Sequence, residues 1–146
     1  MITFAKQLQS DELINFLVNV NGENNDSLAR EYVSCCFSND YRKPIFIVYE
    51  LNNKIIGAAA FSQELFTTGT WGISWVCVDE EYRNNGYGEE MIKFCLSEIS
   101  KRIKDDAFVI LGTYPNKTGL YDKTNFFEVH KDDDQGSFMM TKIKPL

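Results

Sequence analysis

The chain lacks several features that would have announced its chemistry directly. It has one histidine, His130, and four cysteines, Cys35, Cys36, Cys77 and Cys95, in 146 residues. No Cys-x-x-Cys pair and no zinc spacing occurs, so no metal site is expected. Cys35 and Cys36 are adjacent and cannot readily bridge. Cys77 and Cys95 fall on apolar elements and read as buried thiols, a pattern that suits a reducing compartment. Basic residues are in deficit: fifteen Lys and Arg face twenty-one Asp and Glu, a net charge of −6. An acidic surface disfavours non-specific binding to nucleic acid or to anionic membrane, and mildly favours cationic partners such as amines. No apolar run approaches the ~20 residues of a membrane span. Met1-Ile2-Thr3-Phe4-Ala5-Lys6 has no basic region leading into an apolar one, so no secretory signal is expected and a cytoplasmic location is. Repeats, linkers and low-complexity tracts are missing too.

What remains reads as one domain over 1–146. A strand is expected at 2–7, then a helix capped by Ser10 with Asp11 and Glu12 in its first turn. A second helix runs to about Phe37, with Leu28, Tyr32, Cys35 and Cys36 on its apolar stripe. Strands at 45–51 and 54–65 flank a hairpin turn at Asn52-Asn53. Gly57 and three alanines on the returning strand mark a close approach. A strand at 70–78 leads to a helix over 86–104, with Met91, Ile92, Cys95, Leu96, Ile99 and Ile103 inward and Lys93, Glu98, Lys101 and Arg102 outward. A strand at 107–111, a short helix at 116–123 and a last strand pair follow. The order β-α-α-β-β-β-α-β-α-β-β gives an α+β fold on a mixed, mainly antiparallel sheet, with one parallel pair across the long helix.

The chemistry gathers in Trp75-Val76-Cys77-Val78-Asp79-Glu80-Glu81-Tyr82-Arg83-Asn84-Asn85-Gly86-Tyr87-Gly88. A strand enters a glycine-spaced turn that opens a helix. N–H groups of 84–88 can meet phosphate oxygens, the helix dipole adds positive potential, and Arg83 adds a charge suited to a diphosphate. Gly86 and Gly88 leave room for backbone to approach an anion. The Walker lysine is missing, and Met91 stands where the dinucleotide fingerprint needs a third glycine. By itself a G-x-G turn is more often an ordinary strand-to-helix connection with no ligand.

Arg83-Asn84-Asn85-Gly86-Tyr87-Gly88 resembles the R/Q-x-x-G-x-G/A signature of the GNAT superfamily of N-acetyltransferases. Asn116-Lys117-Thr118-Gly119-Leu120-Tyr121-Asp122-Lys123-Thr124-Asn125-Phe126-Phe127 is similar to that family's N-x-x-A-x-x-L-Y-E-K-x-G-F segment in compressed form. Asn125 stands in for the usual glycine, a mild swap because Asn tolerates left-handed backbone. The resemblance implies acetyl-CoA as cosubstrate, with its pyrophosphate on the turn and its pantetheine arm along backbone groups of Val76 and Val78. It implies that Asn116 bonds the cofactor arm and that Tyr121 protonates the departing thiolate. Some members carry a glutamate on the fourth strand, eleven residues before the motif. That position is Gly72 here. Strand alternation puts Gly72, Ser74, Val76 and Val78 on one face, with no competent base among their side chains. The proton acceptor is then Glu64, Asp79, Glu80 or a water chain.

His130 reads as structural, the acidic Asp132-Asp133-Asp134 as a solvated hairpin tip, and Trp71 and Trp75 as core on the face opposite Gly72 and Ser74. The expected function is acetyl transfer to an amine by direct attack in a ternary complex, the alternative a non-catalytic acyl-CoA sensor of the same fold. The acceptor, a small molecule or a peptide or protein amine, has no legible motif. Nothing distinguishes a monomer from a homodimer.

Overall fold

Residues 1–65, 67–113, 119–132 and 136–146 are described by a computed structural model. In chain order they form β1 (Ile2–Phe4), α1 (Ser10–Asn21), α2 (Asp26–Cys36), β2 (Ile45–Leu51), β3 (Lys54–Gln63), β4 (Thr70–Val78), α3 (Tyr87–Ser100), β5 (Ala107–Thr113), α4 (Gly119–Asp122), β6 (Phe127–Asp132) and β7 (Gly136–Ile143). This is the expected order. The seven strands lie in one sheet as β1-β2-β3-β4-β5-β7-β6. Every pairing is antiparallel except β4 with β5, whose crossover runs through α3. No helix among the described residues is long and apolar enough to cross a membrane.

Local chemistry explains most of these elements. Asn52 and Asn53 both take left-handed backbone, with φ of 50° and 61°, as a two-residue hairpin turn between twisted strands requires. Gly57 and the run Ala58-Ala59-Ala60 let helices settle close on β3. A Cβ at Gly57 would stand 3.0 Å from the Met91 methyl of α3. On that face α3 buries Met91, Ile92, Cys95 and Ile99 against Ile56, Ala59, Ile73 and Val109. On the other face α1 and α2 bury Leu13, Leu17, Ala29 and Val33 against Phe46, Val48, Ala58 and Ala60.

Several local expectations are corrected. Ser10 is the first helical residue of α1, not its cap, because a 3₁₀ turn at Gln7–Gln9 precedes it and the Ser10 hydroxyl donates to the Gln7 carbonyl at 2.7 Å. The inward face of α2 is Ala29, Val33 and Cys36, while Leu28 is exposed. The small alanine, not the larger leucine, faces the sheet. α3 ends at Ser100, and Glu98 is buried on it rather than wet. Lys101 at 2.5 Å and Arg102 at 2.7 Å pair with the Glu98 carboxylate, which is what makes its burial tolerable.

The correction that matters most lies in β4. Ala60 pairs with Ser74 and Ala58 with Cys77, so Trp75 and Val76 together oppose Ala59. Trp75 takes φ of 55°, rare for a bulky side chain. This β-bulge adds one residue and resets the alternation. Before it, Trp71 and Ile73 face α3; after it, Val76 and Val78 do. Trp75 and Cys77 instead join the α1–α2 side, where the Trp75 ring meets Tyr32 edge-on at 5.7 Å. Gly72 and Ser74 therefore do not share a face with Val76 and Val78.

Candidate functional site

β4 and β5 are paired only at Thr70↔Phe108, Trp71↔Val109 and Gly72↔Ile110. Beyond Gly72 both strands continue but part. The gap is a cleft of about 830 Å³, lined by 73–78 of β4, 112–113 of β5, the turn and start of α3 at 82–84 and 86–89, and 119–121 of α4, with Val20, Asn21 and Lys123 at its margins. From Ile73 to Val78 the β5-facing edge of β4 has no strand partner among the described residues, so polar backbone groups line the cleft where a ligand can meet them.

At the outer end the chain folds into the glycine-spaced turn. Asn84 and Gly86 are left-handed, with φ of 61° and 83°. A Cβ at Gly86 would meet nothing within 4 Å, so glycine is required there by conformation, and the space beside it is open. Gly88 has a different reason: a Cβ there would approach Leu120 of α4 at 3.3 Å. The Asn85 amide donates to the Tyr82 and Arg83 carbonyls, both at 3.0 Å, and closes the turn instead of lining the cleft. Arg83 is exposed, and its Nε donates to the Val78 carbonyl at 3.1 Å. No acid pairs with its guanidinium among the described residues. Glu89, an acid at this helix end, is neutralised by Lys93 at 2.6 Å, which holds its carboxyl below the ordinary carboxylate range. The turn thus puts a helix N-terminus and one guanidinium at the cleft, an arrangement whose chemistry suits an anion.

Tyr121 lines the opposite wall and is 7% exposed. Burial pushes its hydroxyl up to about 12, against the lowering effect of a hydrogen bond with the Thr113 side chain. Cys77 also lines the cleft, and burial pushes its thiol up to about 12. It holds its proton at neutral pH and is a poor nucleophile.

Of the residues singled out from sequence, Val76, Val78, Arg83, Asn84, Gly86, Tyr87, Gly88 and Tyr121 therefore line one cleft. Asn85 supports the turn from outside it. Glu64 lies off the lining, past the end of β3, and Asn116 lies outside the described residues. Val20, Asn21, Cys77 and Thr113 are additions. Cys77 was hidden by the bulge, and no local signal marks the end of α1 as a cleft wall.

The profile of the acetyltransferase (GNAT) family matches residues 7–126. No curated protein is significantly similar in sequence. Among solved structures, an aminoglycoside 6'-N-acetyltransferase complexed with coenzyme A superposes with a TM-score of 0.76 at 14% identity, covering 100% of this chain and 98% of that one. The GNAT family N-acetyltransferase YhbS from Escherichia coli in complex with CoA gives 0.72 at 15% identity over 97% of this chain and 80% of that one. An acetyltransferase of the GNAT family from Streptococcus pneumoniae gives 0.73 at 17% identity, with 98% of each chain covered. At such identities the likeness is one of fold.

Proposed function

We propose that this chain, which belongs to the acetyltransferase (GNAT) family, transfers the acetyl group of acetyl-CoA to an amine by direct attack in a ternary complex. The observation that carries the reading is the unpaired edge of β4 running directly into an open, left-handed turn at a helix N-terminus. An extended amide-bearing chain fits the edge, and its diphosphate fits the turn. Open space at Gly86 and an Arg83 guanidinium with no acid partner among the described residues suit that group.

In this reading the backbone N–H at the Val76 bulge polarises the thioester carbonyl as negative charge develops on its oxygen. The amine attacks that carbon, the C–N bond forms and the C–S bond breaks. Tyr121 donates a hydrogen bond to the departing sulfur. Its pKa of about 12 lies above the roughly 8.5 of a free thiol, so it stabilises the thiolate without surrendering its proton outright. The protonated Cys77 thiol argues against an acyl-enzyme route.

The reading is tested by acetyl-CoA consumption against a panel of amines, beside thermal shift with coenzyme A. Turnover of at least one amine and a rise in Tm are expected. Arg83→Ala should raise the acetyl-CoA KM by roughly ten-fold or more, the worth of a hydrogen bond to a charged group. Tight coenzyme A binding with no turnover of any amine would mark a sensor instead.

A further inference from the structure

Gly72 sits inside β4, where glycine weakens a strand and often marks a close approach. A Cβ built on it would stand 2.5 Å from Oε1 of Glu64, and the other neighbour beyond that side chain is the Ile110 carbonyl at 4.0 Å. The carboxylate of Glu64 therefore occupies the space that a side chain at position 72 would fill. Gly72 is also the last β4 residue paired with β5, and Ile73 is the first to line the cleft. Glu64 reaches this place from the far end of the β3–β4 connection.

Its backbone is held on both sides. Glu64 N–H donates to the Thr70 carbonyl at 2.9 Å, and the Arg42 guanidinium donates to the Glu64 carbonyl at 2.6 Å. The carboxylate itself makes no ion pair and accepts no hydrogen bond among the described residues, although Glu64 is half-buried. An unpartnered carboxylate over Gly72, just before β4 and β5 part and the cleft begins at Ile73, is placed to meet a cation.

We infer that Glu64 accepts the proton of the acceptor's ammonium, and that Gly72, which leaves room for its carboxylate beside the cleft, and Arg42, which holds its backbone carbonyl, are positioning residues. This rests on the acetyl-transfer reading above. The carboxylate lies over Gly72, and the bulge at Val76 is four residues further, on the order of 13 Å along an ideal strand. Proton transfer therefore runs through a chain of waters along the cleft. R–NH3⁺ loses one proton to Glu64 and becomes a nucleophile. The amine nitrogen, once bonded to the acetyl carbon, loses its second proton as the thiolate departs and is protonated. The products are the amide, coenzyme A thiol and the proton left on Glu64, which returns to solvent.

The experiment is a cycle of variants assayed with the amine that the wild-type protein turns over best. Glu64→Ala and Glu64→Gln should lower kcat roughly 100-fold, the lower range for a general base, and leave acetyl-CoA affinity unchanged. The deficit should shrink as pH rises towards the acceptor's own pKa, where the free amine needs no base. Gly72→Ala should cost turnover by displacing the Glu64 carboxylate, yet cost nothing further in a Glu64→Ala background. Glu64→Ala with Gly72→Asp should recover at least ten-fold, because an aspartate at 72 then fills the vacated space. Thermal denaturation confirms that each variant folds. A Glu64→Gln deficit constant across pH, or none, overturns the inference while acetyl transfer stands. Additive effects of Gly72→Ala and Glu64→Ala overturn the positioning role. No wild-type turnover of any amine overturns both readings.

Discussion

Tyr121 shows how far a residue's role depends on its surroundings. From sequence it is a phenol of ordinary acidity near a leaving group. In the fold it is buried, bonded to Thr113 and raised to about 12. Tyr121→Phe removes only the hydroxyl, so turnover should fall roughly ten- to a hundred-fold, the worth of one hydrogen bond to a charged group. Acetyl-CoA affinity, read by titration calorimetry, should stay within two-fold. No alkaline limb from this group should show in the wild-type pH profile below about pH 11, because its proton is held to about 12. Gly86 and Arg83 were legible in the sequence because a left-handed turn and a guanidinium act through local chemistry. Glu64 was legible only as a nearby acid. Its approach to Gly72 is a contact between two strands, and one-dimensional spacing carries no record of it.

Among elements, β4 departs furthest from its sequence pattern. Alternation predicts one face for Gly72, Ser74, Val76 and Val78, and the bulge at Trp75-Val76 splits that set in two. A bulge is a pairing property: it needs Ala59 on the neighbouring strand to be opposed by two residues, so it is invisible in β4 alone. The helices fared better where the apolar period was strong. α3 was placed by its apolar face, though Glu98 was misjudged because burial of an acid depends on the cations one turn away. The seat of α3 on β3 is testable. Gly57→Val would drive a branched side chain into the Met91 methyl and sulfur at 3.0 and 3.2 Å and the Tyr49 Cβ at 3.3 Å. A loss of about 1–3 kcal/mol is expected for overpacking of this kind, visible as a lower urea midpoint. Gly88→Ala, which would meet the far end of the Leu120 side chain at 3.3 Å and Val78 at 3.9 Å, should cost less.

The whole molecule has an alkaline weakness built into its core. Burial raises Cys77 from 9.0 to about 12 and Tyr121 from 10.0 to about 12, and raises Cys95 further still. In the unfolded chain these groups release protons first, while the folded chain keeps them. The unfolded state therefore binds fewer protons, and stability falls as pH rises. The contribution is fully present below pH 9 and is lost from there through about pH 12, on the order of 1 kcal/mol per pH unit for each titrating group. Urea midpoints should be level between pH 7 and 8.5 and drop steeply by pH 10.5. Cys77→Ser, whose hydroxyl does not titrate in this range, should make the fall shallower.

The order of strands and helices, the hairpin at Asn52-Asn53 and the glycine-spaced turn at 83–88 were determined by the sequence itself, because periodicity, turn propensity and helix-end chemistry act over a few neighbouring residues. The parting of β4 from β5, the bulge, the wall supplied by Asn21 and the carboxylate of Glu64 over Gly72 were decided only by tertiary structure. Each depends on which strand lies beside which, and that follows from burying the two faces of the sheet under α3 and under α1 with α2, a property of the whole chain and of no segment within it.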